Sequence, residues 1–356
     1  MIRLAAVALW LAAGNVGFAQ LPSASTGAVV GFVTMKAANT ELPYSVVSIP
    51  TLARDQFTDD RGVFRMAGLP PGRLRLRIRH VGYSPEELDV LVQAGVVDTI
   101  RVALTRIAVR LTAMHVSAYP ECLSPGPPLV SDTAFTAIFE QLKQNAEQFR
   151  LLTTEYPFIA GVQRTTSTLY GTDDLRREVV DTITLSSDAQ WAYKPGTVVV
   201  REKHFMRSDG PVTMRIPSLA NFADSLFIAN HCYYNGGLET VDGRELVRID
   251  FVAASALKEP DVDGSMFLDP ATFQIRRSFL HLSKQPKAVP DVLGTEATTV
   301  FAELFPSVPV IAMVNSVNRL KVGRLRNRPA TQTREDQQLI AVAFTGRKPG
   351  EDAKKP

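Results

Sequence analysis

The sequence lacks the residue clusters on which the common enzyme classes depend. It has five histidines, and they stand far apart: His80, His115, His204, His231 and His281. Zinc hydrolases need histidines and carboxylates at fixed spacing on one face, and no such spacing occurs. The P-loop, the glycine-rich dinucleotide motif and the serine nucleophile elbow are also missing. We therefore expect no catalytic residues, no metal and no cofactor.

The sequence also lacks a large excess of charge of one sign. Thirty-nine Lys and Arg residues stand against thirty-six Asp and Glu residues, and the net charge of +3 is too small for a nucleic-acid surface. After the N-terminal stretch, no apolar run reaches the roughly 18–20 residues that span a bilayer. With 45% hydrophobic and 21% charged residues, the composition is that of a globular protein. We expect no nucleic-acid partner, and no transmembrane segment after signal cleavage.

The N-terminus has the pattern of a secretory signal peptide. Arg3 supplies the positive charge, residues 4–13 form an apolar stretch, and Gly17-Phe18-Ala19 is a small-residue cleavage site. The apolar stretch is too short for a permanent anchor; a buried N-terminal helix is the alternative. We predict a signal peptide over residues 1–19 and an exported protein, located in the periplasm, at the outer membrane or on the cell surface.

Only two cysteines occur, Cys122 and Cys232. Exported proteins reside where disulfides persist, so these residues either pair or remain as free, buried thiols. A bridge would close a loop of about 110 residues and would stabilise the fold by about 4–5 kcal/mol in the chain-entropy model. We predict the disulfide.

Residues 27–104 alternate short β-type runs with turn residues. In the clearest run, arginines alternate with apolar residues, the period-two pattern of a strand with one apolar and one polar face. The arginines are Arg73, Arg75, Arg77 and Arg79. They form either a solvated face or a surface for an anionic partner. The close spacing of such runs predicts a seven-stranded type of β-sandwich.

The turns of this region resemble those of a known family. The segments that carry the resemblance are Thr58–Phe64, Gly68–Gly72 and Val81–Tyr83. In this order they are similar to the carboxypeptidase regulatory-like domain, a transthyretin-like β-sandwich that also caps the N-terminus of many TonB-dependent outer-membrane receptors. The resemblance implies an extracytoplasmic setting, and a spacer or binding accessory rather than a catalyst.

A linker and a helix follow this module. Residues 119–128 contain four prolines, and we place the linker over residues 105–130. Residues 131–150 predict a helix with Ser131 or Asp132 as its N-cap. One face of this helix carries apolar residues at helical spacing. They are Phe135, Ile138, Phe139, Leu142, Ala146 and Phe149.

The sequence returns to β-type patterns over residues 156–282. Asp242-Gly243 lies between two alternating runs within residues 239–251, which is typical of a hairpin. Residues 264–282 continue this hairpin as an antiparallel meander.

The remaining segments complete the predicted domain. Residues 218–228 predict a short helix, and Leu339–Phe344 predicts a last edge strand. We therefore predict an α+β domain with a curved antiparallel sheet over residues 131–345, and a disordered tail over residues 346–356. The protein as a whole should be mainly β.

The second half resembles the C-terminal region of uncharacterised exported bacterial proteins that carry the same N-terminal module. Gly243–Leu246, Ile249–Phe251 and Leu268–Phe273 are also similar to the curved half-barrel of lipoprotein carriers. This second resemblance implies an apolar ligand such as a lipid, enclosed between the sheet and the helix.

Two groups of residues are candidate sites of chemistry. Asp261, Asp263 and Asp269 would supply oxygen ligands to calcium, but a hairpin turn explains the same residues. His231 and Cys232 would form a nucleophilic pair if the thiol were free, but neighbours on a strand point to opposite faces. We favour the turn and the disulfide.

These observations leave three hypotheses about function. The first is a non-catalytic binding or scaffold protein of the cell envelope, whose sandwich module binds a protein partner or a polysaccharide. The second is a carrier of an apolar ligand in the C-terminal domain. The third, which the missing motifs disfavour, is a hydrolase whose catalytic residues converge from scattered positions.

Overall fold

The structure, a computed structural model, describes residues 26–109, 121–170, 174–189, 191–201, 212–287, 289–321 and 330–348. The predicted signal peptide and residues 349–356 of the predicted tail lie outside these ranges. The fold is mainly β, with 54% strand and 13% helix, which confirms the predicted fold class. None of the helices in these ranges has the length and apolarity that a membrane crossing needs.

Seven strands form the N-terminal module. They are β1 (Gly27–Met35), β2 (Val46–Ile49), β3 (Arg54–Phe57), β4 (Val63–Leu69), β5 (Gly72–Arg79), β6 (Glu86–Val92) and β7 (Val97–Leu104). One sheet has the order β4-β1-β7 and the other the order β3-β2-β5-β6. A short 3-10 helix, Pro50–Leu52, joins β2 to β3. The predicted sandwich is therefore confirmed.

The module folds as its sequence pattern predicts. The apolar residues of β5, Leu74, Leu76 and Ile78, are buried between the sheets. The turn before β4 is held by Asp59, whose carboxylate accepts hydrogen bonds from the backbone N–H groups of Arg61 and Val63 at 2.9 and 2.8 Å. Gly62 adopts φ +70° there, and a Cβ at this position would lie 2.6 Å from the Val33 carbonyl oxygen. Only glycine fits this turn without strain.

Helix α1 (Thr133–Glu155) begins where the sequence predicts. Asp132 is its N-cap, and the Asp132 carboxylate accepts from the Phe135 N–H at 2.9 Å. The predicted apolar face is buried along its whole length. The helix continues five residues past the predicted end at Arg150, because Leu151 and Leu152 are buried in a second apolar cluster.

The strands after α1 build one large sheet. They are β8 (Phe158–Tyr170), β9 (Asp174–Ser186), β12 (His231–Val241), β13 (Arg244–Ala253), β14 (Val262–Leu268), β15 (Ile275–Leu282), β16 (Val292–Phe305), β17 (Val308–Leu320) and β18 (Ala330–Phe344), while β10 (Val199–Arg201) and β11 (Val212–Met214) pair separately. The sheet is antiparallel, curved and unclosed, with the order β12-β13-β14-β15-β16-β17-β18-β8-β9.

The predicted hairpin and meander are present. Asp242 and Gly243 join β12 to β13 with φ values of 50° and 77°, as a two-residue type I′ turn requires. The predicted edge strand Leu339–Phe344 is wrong in its position. It belongs to the longer strand β18, which lies between β17 and β8. Its polar residues hid this strand, because neither of its faces is uniformly apolar.

The face of the large sheet that packs against α1 is called the inner face below. It carries the largest apolar core, in which Phe139 of α1 is buried together with Phe251 of β13 and Met266 of β14; the centroid of the Phe139 ring lies 4.6 Å from that of the Tyr233 ring on β12. The predicted short helix over residues 218–228 is divided into a 3-10 helix, Leu219–Ala223, and helix α2 (Ser225–Ala229). Phe222 and Phe227 from these helices complete the core.

The linker is fixed to one edge of the large sheet. Cys122 and Cys232 are joined in a disulfide, as predicted. The Cys122 carbonyl accepts from the Ser255 N–H, and the Gly126 N–H donates to the His231 carbonyl, both at 2.9 Å. These contacts hold the segment against β12, the edge strand that would otherwise offer unpaired backbone groups.

The module packs directly on α1. Gln141 accepts from the Gly82 N–H at 2.6 Å, and Gln148 donates to the Tyr44 carbonyl at 3.4 Å. The glutamines of this helix face are almost fully buried: Gln141, Gln144 and Gln148. Helix α1 therefore has two buried faces, an apolar one toward the large sheet and one rich in amides toward the module.

Candidate binding cavity

An apolar cavity of about 270 Å³ lies between α1 and the inner face of the large sheet. Phe149 of α1 lines it from the helix side. The rest of the lining comes from four strands and the segments beside them: Phe158, Ala160, Val162, Leu185, Ser186, Ser187, Ala189, Trp191, Ser218, Val310, Ile311, Ala312, Met313, Val314, Gln337 and Leu339. Its size lies just below the roughly 300–1,000 Å³ of small-molecule sites.

Strand periodicity and small side chains create this space. On β8, Phe158, Ala160 and Val162 alternate with outward-facing residues, so all three face inward. Ala160 and Ala312 are small, as are the serines of the lining, and the cavity stays unfilled where larger residues would close it. Leu185 of β9 is 45% exposed, which indicates that the cavity communicates with solvent on the β9 side.

The floor of the cavity is shared with the module. Phe158 and Val310 line the cavity and also belong to an apolar cluster that includes Tyr44 and Phe57 of the module. The Tyr44 ring stacks on Phe305 with centroids 5.3 Å apart, and the Phe57 ring stacks on Tyr156 at 6.3 Å. The module therefore packs against residues that also line the cavity.

A polar row borders the cavity on the inner face. Two residues beyond Val162, Arg164 pairs across the strands with Asp181 of β9 and Gln337 of β18. The Arg164 guanidinium donates to both carboxylate oxygens of Asp181, and this hydrogen bonding holds the pKa of Asp181 below its ordinary value. Asp181 is therefore ionised at neutral pH, and the cavity is apolar inside with charged groups at its border.

The contact between module and sheet centres on His80. Its Nδ1 lies 3.1 Å from Ser45 Oγ, and its Nε2 lies 3.2 Å from Ser307 Oγ. The Ser45 hydroxyl donates to the Leu42 carbonyl, so it accepts from His80, and the neutral ring carries its proton on Nδ1. Burial lowers the pKa of His80 to about 4.

The arginine row of β5 is largely matched by acids. Arg75 and Arg77 face Asp89 and Glu87 of β6 at 3.1 and 3.6 Å, in direct cross-strand register. Arg79 forms an ion pair with Glu147 of α1. Three of the four predicted arginines thus have a carboxylate partner, while Arg73 is exposed and stands opposite Leu91. This geometry leaves the row with little free positive charge, and the anionic-partner surface stays a prediction.

The three aspartates weighed for calcium lie apart. Asp261 and Asp263 are at the start of β14, and Asp269 follows its end, about 20 Å further along an extended strand. The Asp269 carboxylate accepts from the N–H groups of Ala271 and Thr272, as in an ordinary turn. In the described part of the chain, no three His, Cys, Asp or Glu residues form a group that could hold a metal. The three carboxylates are not brought together, and the calcium site stays a prediction.

The His231–Cys232 pair is not a nucleophile, because the Cys232 sulfur is bonded to Cys122. His231 instead belongs to a buried polar network that the sequence did not reveal. The Tyr193 hydroxyl donates to Asp261 at 2.5 Å, and His231 Nε2 lies 3.7 Å from the other oxygen of that carboxylate. Both ring nitrogens of His231 also contact backbone carbonyls, of Phe227 and Val262. All three side chains of the network are buried, and the network is part of the protein core.

Sequence patterns missed the cavity lining for a physical reason. The contributing strands β8, β9, β17 and β18 mix polar and small apolar residues on their inner face, so period-two alternation is weak. The one usable signal was the apolar face of α1, whose last predicted member, Phe149, lines the cavity.

Residues 28–105 match the family model of the carboxypeptidase regulatory-like domain, which confirms the resemblance of the N-terminal module. No curated protein matches the chain.

Three solved structures are similar to parts of the chain. A domain described as an outer membrane lipoprotein-sorting protein from Vibrio parahaemolyticus matches at 9% identity and a TM-score of 0.32, over 59% of this chain and 95% of that one. A LolA superfamily protein from Nitrosomonas europaea matches at 9% identity and a TM-score of 0.29, over 59% and 94%. A minor pilin of Streptococcus agalactiae matches at 17% identity and a TM-score of 0.22 over 26% of this chain, which spans 49% of the pilin.

Proposed function

We propose that this protein is a non-catalytic binding protein of the bacterial cell envelope that holds an apolar ligand, such as a lipid chain, in the cavity between α1 and the large sheet. The observation that carries this proposal is the cavity itself. An apolar, partly open space is what a carrier needs, and the second of the three sequence-derived hypotheses requires it.

The energetics favour an apolar occupant. Transfer of apolar surface from water contributes about 25 cal/mol per Å², and a flexible chain would gain this along walls such as Phe149, Val162 and Leu339. A polar ligand would lose hydrogen bonds to water and find few replacements among these side chains.

The scaffold hypothesis receives less support from the geometry. Its best candidate surface was the arginine row, whose charge is largely matched by carboxylates of β6 and α1. The hydrolase hypothesis needs polar side chains that converge on an accessible pocket. The buried network of Tyr193, Asp261 and His231 is sealed within the core, and the accessible cavity is apolar.

The proposed location outside the cytosol rests on the disulfide and the module. A bridge such as Cys122–Cys232 persists in oxidising compartments and is rare in the cytosol. Periplasm and cell surface both satisfy this requirement.

A cavity-filling substitution tests the proposal. Ala160→Phe would fill the cavity from β8, and Ile159→Phe is the matched control, because Ile159 is the neighbouring strand position on the outer face and is 37% exposed. The probe is N-phenyl-1-naphthylamine, an uncharged apolar dye whose fluorescence rises in apolar surroundings. We expect the native protein and Ile159→Phe to bind the dye and Ala160→Phe to bind it at least about tenfold more weakly, the effect of losing about 1.4 kcal/mol. Failure of the native protein to bind would refute the proposal.

A further inference from the structure

We infer that the ligand is an amphiphile with an uncharged, hydrogen-bonding head group, which lies over the polar rows that continue the cavity along the inner face. This inference rests on the proposed function and specifies the ligand class of the same site.

The register of the sheet places the polar rows. The first row runs across five strands as Asp181, Arg164, Gln337, Val314 and Thr299, and its Gln337 and Val314 also line the cavity. The second runs as Val179, Thr166, Glu335, Ser316 and Ala297 in the same registers. Residues directly opposite on neighbouring strands share a face, so both rows lie on the inner face with Val162 and Leu339.

The third row is polar throughout. It runs as Arg177, Thr168, Thr333, Asn318 and Thr295. Asn318 accepts from the Thr295 hydroxyl at 2.7 Å and donates to Thr333 at 3.2 Å. The inner face therefore changes within a few residues from apolar side chains to hydroxyls, amides and carboxylates.

The distance between the cavity and the polar rows suits a single amphiphilic molecule. Successive inner-face residues of a strand are about 6.6 Å apart, so the first and second rows lie about 7 and 13 Å from the Val162 level. A chain seated against Val162 and Leu339 would leave its head group above Gln337 and Glu335. A wholly apolar ligand would not use this surface, and a wholly polar one would not use the cavity.

The charges of the rows select the head group. Arg164 already donates to Asp181, and Glu335 lies close enough to interact with the same guanidinium. With Arg177 in the third row, the rows hold two cations and two anions and carry no net charge, so a head group with a net charge of either sign would lose hydration without meeting a net charge of the opposite sign there. The Gln337 amide donates to Glu335 at 2.6 Å, and hydroxyl groups of a ligand can join such a network as both donors and acceptors.

Head-group discrimination at constant chain length tests the inference. Dodecyl maltoside, dodecanoate and dodecylammonium, each below its micelle concentration, would compete with N-phenyl-1-naphthylamine for the native protein. We expect the maltoside to bind about three- to fivefold more tightly than dodecanoate, the effect of a partly exposed charge interaction, and more tightly than dodecylammonium. Equal affinities, or tighter binding of either charged amphiphile, would overturn the inference and leave the proposed function intact. Absence of dye binding would refute both.

Two variants locate the effect. Glu335→Gln removes a carboxylate and Asp181→Asn releases Arg164, so both should raise the affinity for dodecanoate by about threefold or more. An unchanged far-ultraviolet circular dichroism spectrum shows that the fold of each variant is intact. Arg334→Gln is the control, since Arg334 neighbours Glu335 on the outer face and is exposed. Unchanged dodecanoate affinity in both variants would contradict the assignment of the head group to these rows.

Discussion

His80 Nε2 lies 3.2 Å from Ser307 Oγ, so a histidine of the regulatory-like module is joined to the turn between β16 and β17, 227 residues later in the chain. The ring is neutral, and its other nitrogen donates to Ser45. This contact connects the module to the large sheet through a titratable group that is almost fully buried.

We predict that stability falls in acid because of His80. Its folded-state pKa of about 4 lies below the unfolded value of about 6.5, so the unfolded chain takes up the proton first. The stabilising contribution is complete above pH 6.5 and is lost as the pH falls from 6.5 toward 4. Between pH 7.5 and 5, the native protein should lose about 2 kcal/mol more than His80→Asn. Urea unfolding at both pH values measures this difference.

The comparison with His80→Asn isolates this group. Burial raises the pKa of Asp261 and of Asp263, and these carboxyls act in the opposite sense, since they stabilise the fold as the pH falls. The native protein and His80→Asn both contain these two carboxyls, so the contribution of the carboxyls cancels in the comparison. Equal pH dependence of the two proteins would contradict the prediction.

Gly82 permits the close approach of the module to the large sheet. It adopts φ +87°, and a Cβ there would lie 2.8 Å from the Thr272 carbonyl oxygen in the turn between β14 and β15. Gly68 is a matched control, because its φ is +68° and a Cβ would have no neighbour within 4 Å. Both alanine variants incur the cost of a left-handed conformation, and only Gly82→Ala adds a clash.

We therefore expect Gly82→Ala to lower the free energy of unfolding by about 1–3 kcal/mol more than Gly68→Ala. Chemical denaturation measures both values. Equal destabilisation by the two substitutions would show that the module does not need this close contact.

The disulfide should carry a large share of the stability. The double variant Cys122→Ala with Cys232→Ala removes the bridge without leaving a free thiol, and we expect a loss of about 2–5 kcal/mol. The linker segment should also separate from β12, and the uncovered edge should favour self-association. Denaturation combined with light scattering tests both effects. A stability within about 0.5 kcal/mol of the native protein would contradict this expectation.

Local sequence patterns predicted the elements that have an apolar face opposite a polar one. The alternation of β5, the Asp242-Gly243 hairpin and the apolar face of α1 each appear as expected, because a buried stripe opposite a polar one leaves a clear period. The carboxypeptidase regulatory-like module was recognisable for the same reason, since its turns need Asp, Gly and Pro at fixed places. The boundary between the two predicted domains stays a prediction.

Features that depend on two elements at once were not predictable. The amide face of α1 looks like a solvent-exposed helix surface in the sequence, but Gln141 and Gln148 are buried because the module covers them. The polar residues of β18 concealed a central strand. The cavity is lined by Ala160 of β8 and Ala312 of β17, on strands that are separated by β18 in the sheet and by about 150 residues in the sequence, and no local period encodes such a combination.

The two-sided burial of α1 affects how the molecule can be divided. If the chain were cut in the linker, Tyr44, Val46 and Phe57 would become surface residues on one fragment, and Leu152, Phe158 and Val310 would do so on the other. Exposed apolar patches of this kind promote association. Each fragment would therefore tend to aggregate. Binding experiments should use the intact chain.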